Sequence, residues 1–224
     1  MTDLGLLQIT DSAFPLGGFA FSSGLESAAK LGLIADLTTF RKYMENYLRQ
    51  AACSEIPFVR GAFELIGAGC RQLEPLYRRF NAFVTIPTMR QSSITQGRSL
   101  LLAFRTAYPD VSITDFRNWL EETKLAPHFV PTFGVCTKLA GLSINDALSG
   151  YCYMALRDQM SAAVRLGLLG PHEGQRFLRK LLSEVPGVLS AVEDLRYFQA
   201  FRTCVVLDIV QAHHSRLYAR LFRS

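Results

Sequence analysis

The chain is 224 residues long, 49% hydrophobic and 19% charged, enough apolar material for a sizeable core in one domain or two small ones. Charges interrupt every apolar run before membrane-spanning length, and the region around Asp3 lacks the basic start of a secretory signal. The net charge of +5 is mild and scattered, with Arg78-Arg79 its densest spot, which excludes the concentrated basic stripe of a nucleic-acid binder.

Apolar residues recur with helical period almost throughout, and strand-like alternation is scarce. Leu6, Leu7 and Ile9 form an apolar lead-in, stopped by Thr10-Asp11-Ser12, whose side chains bond nearby backbone. Pro15 and Gly17-Gly18 keep the next stretch out of a helix. Phe14, Leu16, Phe19 and Phe21 are too apolar for a solvated loop, so they should plug it into the body of the protein or a partner. A helix restarts near Ser22 or Ser23, with Glu26 in its first turn and Gly32 as a left-handed cap.

Asp36 begins the next helix, with Leu37, Phe40, Tyr43, Met44, Tyr47 and Leu48 as its apolar stripe. Pro57 breaks that run, and a helix follows from Phe58 to Ala68. Pro75 sits in the first turn of another, with Leu76, Phe80 and Phe83 inward. Pro87 opens a long helix, Thr88 to Tyr108. Ser112 or Thr114 caps a short helix through Trp119. Pro127 to Pro131 is an interruption, followed by helices over His128 to Ala140 and Ser143 to Leu166. At Leu31-Gly32-Leu33, Ala140-Gly141-Leu142 and Leu166-Gly167-Leu168 a glycine ends a helix and an apolar residue tucks back, as in a short αα-hairpin. The expected fold is all-α: one compact, bundle-like domain over residues 1–224, with about ten helices and a C-terminal docking tail at 207–224.

Catalytic signatures are missing. The four histidines (His128, His172, His213, His214) lie in no HExxH or Cys-His cluster, and adjacent His213 and His214 diverge by about 100° on a helix. The five cysteines (53, 70, 136, 152, 204) show no CxxC or metal-ligand spacing and fit a reducing cytosol. No GxSxG and no phosphate-binding glycine motif occurs. The chain reads as a non-enzyme with no catalytic or metal residues.

What remains is interaction surface. Tyr153, Arg157, Met160 and Val164 share a helical face beside Arg165, either as half-buried core or as an interface. Arg157 and Asp158 are too close along the helix to face each other, so Arg157 should find its carboxylate elsewhere. Ile209, Val210, His213, Leu217, Arg220 and Leu221 keep helical spacing, and a chain ending LYARLFRS must dock on its own body or in a partner's groove.

Asp11-Ser12-Ala13-Phe14-Pro15 through Gly24-Leu25-Glu26 resembles the N-terminal signature of the urease accessory protein UreF family. Arg90-Gln91-Ser92-Ser93 to Gln96-Gly97-Arg98-Ser99-Leu100-Leu101 resembles the family's R-x-A-S-x-x-Q-G-x-x-L-L helix. His128 to Gly134, Leu156-Arg157 with Ser161 to Gly167, and the ending from Asp208 resemble its later motifs in order. The chain departs at Phe21 (Tyr or His in many relatives), at Ser215 (usually acidic) and at Cys204-Val205-Val206, which lacks a proline.

This resemblance implies an all-α cytoplasmic protein, usually a homodimer, acting as a nickel-insertion chaperone. It would bridge UreD (UreH in some organisms) and the GTPase UreG on apo-urease, with no tightly bound cofactor and nickel at most in transit. The implied partner-binding residues are Glu26, Arg90, Gln96, Tyr153, Arg157, Arg165, Asp208, His214, Leu217, Tyr218, Arg220, Leu221 and Phe222. Asp208 to Phe222 would dock on UreD, and the Arg157 face would serve the dimer or UreG. Arg157 or Arg90 could act as an arginine finger in trans. The alternative is a GTPase-activating or small-ligand regulator built on the Pro15–Gly24 loop.

Overall fold

Most helix boundaries fall near the expected backbone punctuation, in a computed structural model that describes residues 4–223. Ser224, the last residue of the expected tail, lies outside the described residues. Among the described residues eleven α-helices follow in order: α1 (Leu4–Thr10), α2 (Leu25–Lys30), α3 (Leu37–Ser54), α4 (Ile56–Leu65), α5 (Glu74–Phe83), α6 (Pro87–Ala107), α7 (Thr114–Thr123), α8 (Phe129–Leu139), α9 (Ile144–Arg165), α10 (Pro171–Ala191) and α11 (Val205–His213). Five short 3₁₀ turns punctuate them, and no strand occurs among the described residues. The fold is all-α.

The three expected hairpins share one device. Gly32, Gly141 and Gly167 have φ of 72°, 80° and 72°. Each donates its N–H to the carbonyl three residues back, and the following Leu donates to the carbonyl five back: Gly32 to Ala29 and Leu33 to Ala28 in the first case. These bonds satisfy the carbonyls that a helix end leaves open. Asp36 caps α3 reciprocally, its carboxylate accepting from Thr39 N–H at 2.8 Å while Thr39 Oγ1 accepts from Asp36 N–H at 3.0 Å.

Helices α4 and α8 form the centre. From Ile56 to Phe63 and from Val130 to Thr137 every residue is buried, so neither helix has a solvated face. They touch backbone to backbone because a Cβ on Gly134 would come within 2.3 Å of the Val59 carbonyl oxygen. Around them pack α3, α5, α6 and α9, with Phe58 edge-on to Phe80 at 4.8 Å and the Tyr77 hydroxyl 3.0 Å from Thr132 Oγ1. Arg60, itself buried, donates to the carbonyls of Val192 and Glu193 at the end of α10.

Three local expectations need correction. Helix α7 runs on to Thr123 from an Ile113 cap that makes no side-chain bond, in place of Ser112 or Thr114. Pro131 lies inside the first turn of α8 and interrupts nothing, because an N–H there has no intrahelical acceptor to lose. Helix α11 stops at His213, so the helical spacing from Ile209 to Leu221 does not describe the tail. After a 3₁₀ turn over His214–Arg216 the backbone becomes extended at Leu217.

Candidate functional site

An irregular loop leaves carbonyls without a helical or sheet partner, and buried carbonyls need donors. In the loop between α1 and α2 those donors come from the far end of the chain and from α9. The Arg157 guanidinium donates to the Thr10 carbonyl. Arg165 donates to the Phe19 carbonyl at 2.6 Å, and Gln159 to that of Ser22 at 2.9 Å. From the C-terminal side, Gln211 reaches the Ser23 carbonyl at 3.1 Å and the Arg223 N–H reaches that of Ala20 at 2.8 Å. Of the four apolar loop residues, Leu16 is buried, Phe14 and Phe21 are half-buried, and Phe19 is 63% exposed. The Phe19 ring is nevertheless held, because the Arg165 guanidinium lies between it and Phe222, at 3.7 Å and 4.3 Å from the two centroids.

Glu26 fastens this arrangement. Its carboxylate is fully buried in the first turn of α2. One oxygen accepts from Lys30 Nζ and Leu221 N–H, each at 2.8 Å; the other accepts from His214 Nε2 at 3.1 Å and Phe222 N–H at 3.2 Å. Burial alone would raise its pKa, but the four donors outweigh it and bring the group down to about 2. Lys30 also donates to the Ala219 carbonyl. The tail docks on its own body, one of the two sites its apolar sequence demanded.

Beside the loop opens a cleft of about 1190 Å³. The predicted face of Tyr153, Arg157, Met160 and Val164 lines it, as do Gln96 and Arg165. Arg157 finds its carboxylate on the neighbouring Asp158, at 2.7 Å and 3.0 Å, which corrects the expectation that the two could not pair. A long flexible guanidinium can fold back along the helix onto a short carboxylate that opens on the same cleft. Burial raises the Asp158 pKa, with Arg157 pulling partly back. Glu55, reached by the Tyr151 hydroxyl at 2.8 Å, is likewise raised by burial.

The remaining predicted residues separate into inward and outward groups. Arg90 donates to Asn81 Oδ1 and the Val84 carbonyl, both at 2.8 Å, beside His128. Both proposed finger arginines thus have their guanidiniums committed to internal acceptors. Asp208 pairs with Arg202 at 2.5 Å, and Phe222 and His214 are buried. Tyr218, Arg220 and Leu221 face outward, Tyr218 fully, while Leu217 is half-buried. Sequence reading missed Glu55, Gln159, Arg202 and Gln211. Polar residues on otherwise apolar helical faces were the available signal for Gln159 and Gln211.

Among the described residues no group of three or more His, Cys, Asp or Glu could hold a metal ion, and no helix is long and apolar enough to cross a membrane. Residues 34–182 match the family model described as UreF. The urease accessory protein UreF of Paenarthrobacter aurescens (strain TC1) is 30% identical over 222 residues, covering 99% of this chain and 97% of its own. Urease accessory protein F of Oryza sativa subsp. indica is 28% identical over 217 residues, covering 96% and 82%. That of Arabidopsis thaliana is 28% identical over 219 residues, covering 97% and 90%. The loop and the tail lie outside the stretch matched by the family model but inside the span covered by the first of these relatives.

Proposed function

The chain belongs to the UreF family of urease accessory proteins, and on that premise we propose that it acts by holding other proteins together during urease maturation, without catalysing a reaction itself. The bridge runs between UreD (or UreH) and the GTPase UreG on apo-urease in the cytoplasm, with this chain as a homodimer and nickel as cargo. The observation that carries this reading is the presentation of the tail. Residues 217–223 form a bent segment after the last 3₁₀ turn, fixed from beneath by Glu26, while Tyr218 is fully exposed and Leu221 is 53% exposed. Aromatic and apolar side chains on a pre-ordered segment lose little entropy on docking and are common interface anchors. The neighbouring Leu31 on the α2 hairpin, 47% exposed, extends that surface.

Co-expression with UreD and UreG, followed by size-exclusion chromatography with light scattering, tests the reading. A stable complex containing two copies of this chain is expected, and Tyr218→Ala with Leu221→Ser should remove UreD while the thermal midpoint stays unchanged. A lone chain that ignores both partners overturns it. The cleft favours one other reading, a small-ligand regulator, and equilibrium dialysis with GTP separates the two. Saturable binding by this chain alone would favour the regulator.

A further inference from the structure

Resting on the reading of the cleft as a ligand site, and independently of any bridging role, we propose that the cleft binds a small organic cation. The ligand is an amidinium or primary ammonium on an apolar body, held by the free oxygen of Glu55 and the side-chain carbonyls of Gln159 and Gln211.

Three acceptors lack donors there. Glu55, at the junction of α3 and α4, lines the cleft and is half-buried. Its Oε2 accepts from the Tyr151 hydroxyl at 2.8 Å, and its Oε1 receives no hydrogen bond among the described residues. Gln159 and Gln211 also line the cleft and are only 1% and 7% exposed. Each gives its NH₂ to a loop carbonyl, that of Ser22 at 2.9 Å or Ser23 at 3.1 Å, and its Oε1 is buried with no donor among the described residues. Tyr47 ties the three into one neighbourhood, since its hydroxyl bonds the Ser23 side chain and lies close enough to Glu55 to feel its charge. Buried acceptors left open are costly, and a ligand rich in N–H groups relieves them.

The sign of the charge follows from which side chains are already engaged. Arg157 gives its guanidinium to Asp158 and the Thr10 carbonyl, Arg165 donates to the Phe19 carbonyl, and Arg202 grips Asp208 at 2.6 Å and 2.7 Å. His172 is exposed in the first turn of α10. Glu55 is thus the cleft carboxyl with no cationic hydrogen-bond partner, and it favours a cation over an anion. Burial raises its pKa, with Tyr151 and Arg202 pulling back and Asp208 adding to the rise, so an arriving cation takes the place of a proton. Tyr47 and Cys152, the other titratable groups beside it, are kept neutral by burial. No group of three His, Cys, Asp or Glu among the described residues could hold a metal ion, so the acceptors offer hydrogen bonds more than coordination. The Phe129 ring stands 6.2 Å from that of Tyr151, and both line the cleft with Tyr47 and Phe83. Such faces suit an apolar body and attract a cation.

The test titrates the full chain with benzamidine hydrochloride, benzamide and sodium benzoate, which share one ring and differ in charge. Isotope-labelled methionine methyls are read by NMR. Met89, Met154 and Met160 line the cleft, whereas Met44 is buried away from it and serves as the reference. Benzamidinium should shift at least one cleft methionine saturably, with a Kd of about 1 mM or tighter, as about nine heavy atoms allow, and leave Met44 in place. Benzamide and benzoate should bind at least about tenfold more weakly. Glu55→Gln keeps an oxygen for the Tyr151 hydroxyl and removes a charge that burial disfavours. It should weaken benzamidinium by about tenfold or more and leave benzamide unchanged. The three-probe series on the unaltered chain carries the test if that variant fails to fold. A preference for benzoate, or benzamidinium binding that Glu55→Gln leaves intact, overturns the cation assignment while the ligand site stands. No cleft methyl shift with any of the three, or equal shifts at Met44, overturns both.

Discussion

Replacing Glu26 by Gln changes almost no volume and isolates what the carboxylate does. Two oxygens currently face four donors, two apiece. An amide offers one oxygen and one NH₂, so one pair of donors must meet another donor. The less costly orientation puts the NH₂ toward His214 and Phe222, because an imidazole can exchange tautomer and accept. Phe222 N–H is then left buried without an acceptor, and the bonds from Lys30 and Leu221 lose their charge assistance. An unsatisfied buried N–H costs about 1–3 kcal/mol, and the weakened bonds add about 1 kcal/mol, giving about 2–4 kcal/mol in all. For a chain of this size that lowers the thermal midpoint by about 5–15 °C. Urea unfolding should show a lower midpoint with an unchanged slope, and hydrogen exchange should show loss of protection at the amides of Leu221 and Phe222 first. A destabilisation below about 1 kcal/mol with those amides still protected would refute the account of Glu26 as the fastening.

Two further predictions concern the interior. Burial, with Arg90 close by, lowers the His128 pKa from 6.5 to about 4, so the unfolded chain takes up a proton there before the folded one does. Stability should fall by about 3 kcal/mol as pH drops from about 6.5 to about 4, and His128→Gln should flatten that limb of the urea midpoint against pH. Glu55 and Asp158, raised by burial, act in the opposite sense: their contribution is complete below the ordinary carboxylate range and fades as pH rises through their folded values. Gly97→Ala should be among the most damaging single changes in the chain, because the new Cβ would lie 1.7 Å from the Pro127 carbonyl oxygen. Shifting α6 off that backbone costs at least about 3 kcal/mol, read as loss of soluble protein or a collapse of the thermal midpoint.

Much of the helical framework was legible because local chemistry dictates it. A glycine after an apolar run, an Asp three residues ahead of Thr39 and a proline at the start of α4, α5 or α6 each act within one turn, and each placed a boundary near where it falls. The clasp was less legible. Helical spacing carried α11 too far because Leu221 and Phe222 give their N–H groups to Glu26, 195 and 196 residues away, and not to carbonyls one turn back. No local pattern encodes that competition. The pairing of Arg157 with Asp158 failed for a related reason: helical geometry describes Cβ directions, while a guanidinium four bonds farther out goes where the shared cleft draws it.

The fastening of the loop by the tail has a consequence for the order of synthesis. Leu221 follows Glu26 by 195 positions of sequence. At about 5–20 residues per second, a ribosome takes about 10–40 s to cover that distance. For most of that interval the nascent chain carries α2 and its loop with neither Arg165 nor Phe222 yet available to hold Phe19, and even after Arg165 is made Phe222 is still missing and Glu26 meets water instead of the tail's backbone. The N-terminal segment is therefore made early and finished late, and stalled or prematurely terminated chains would present it open.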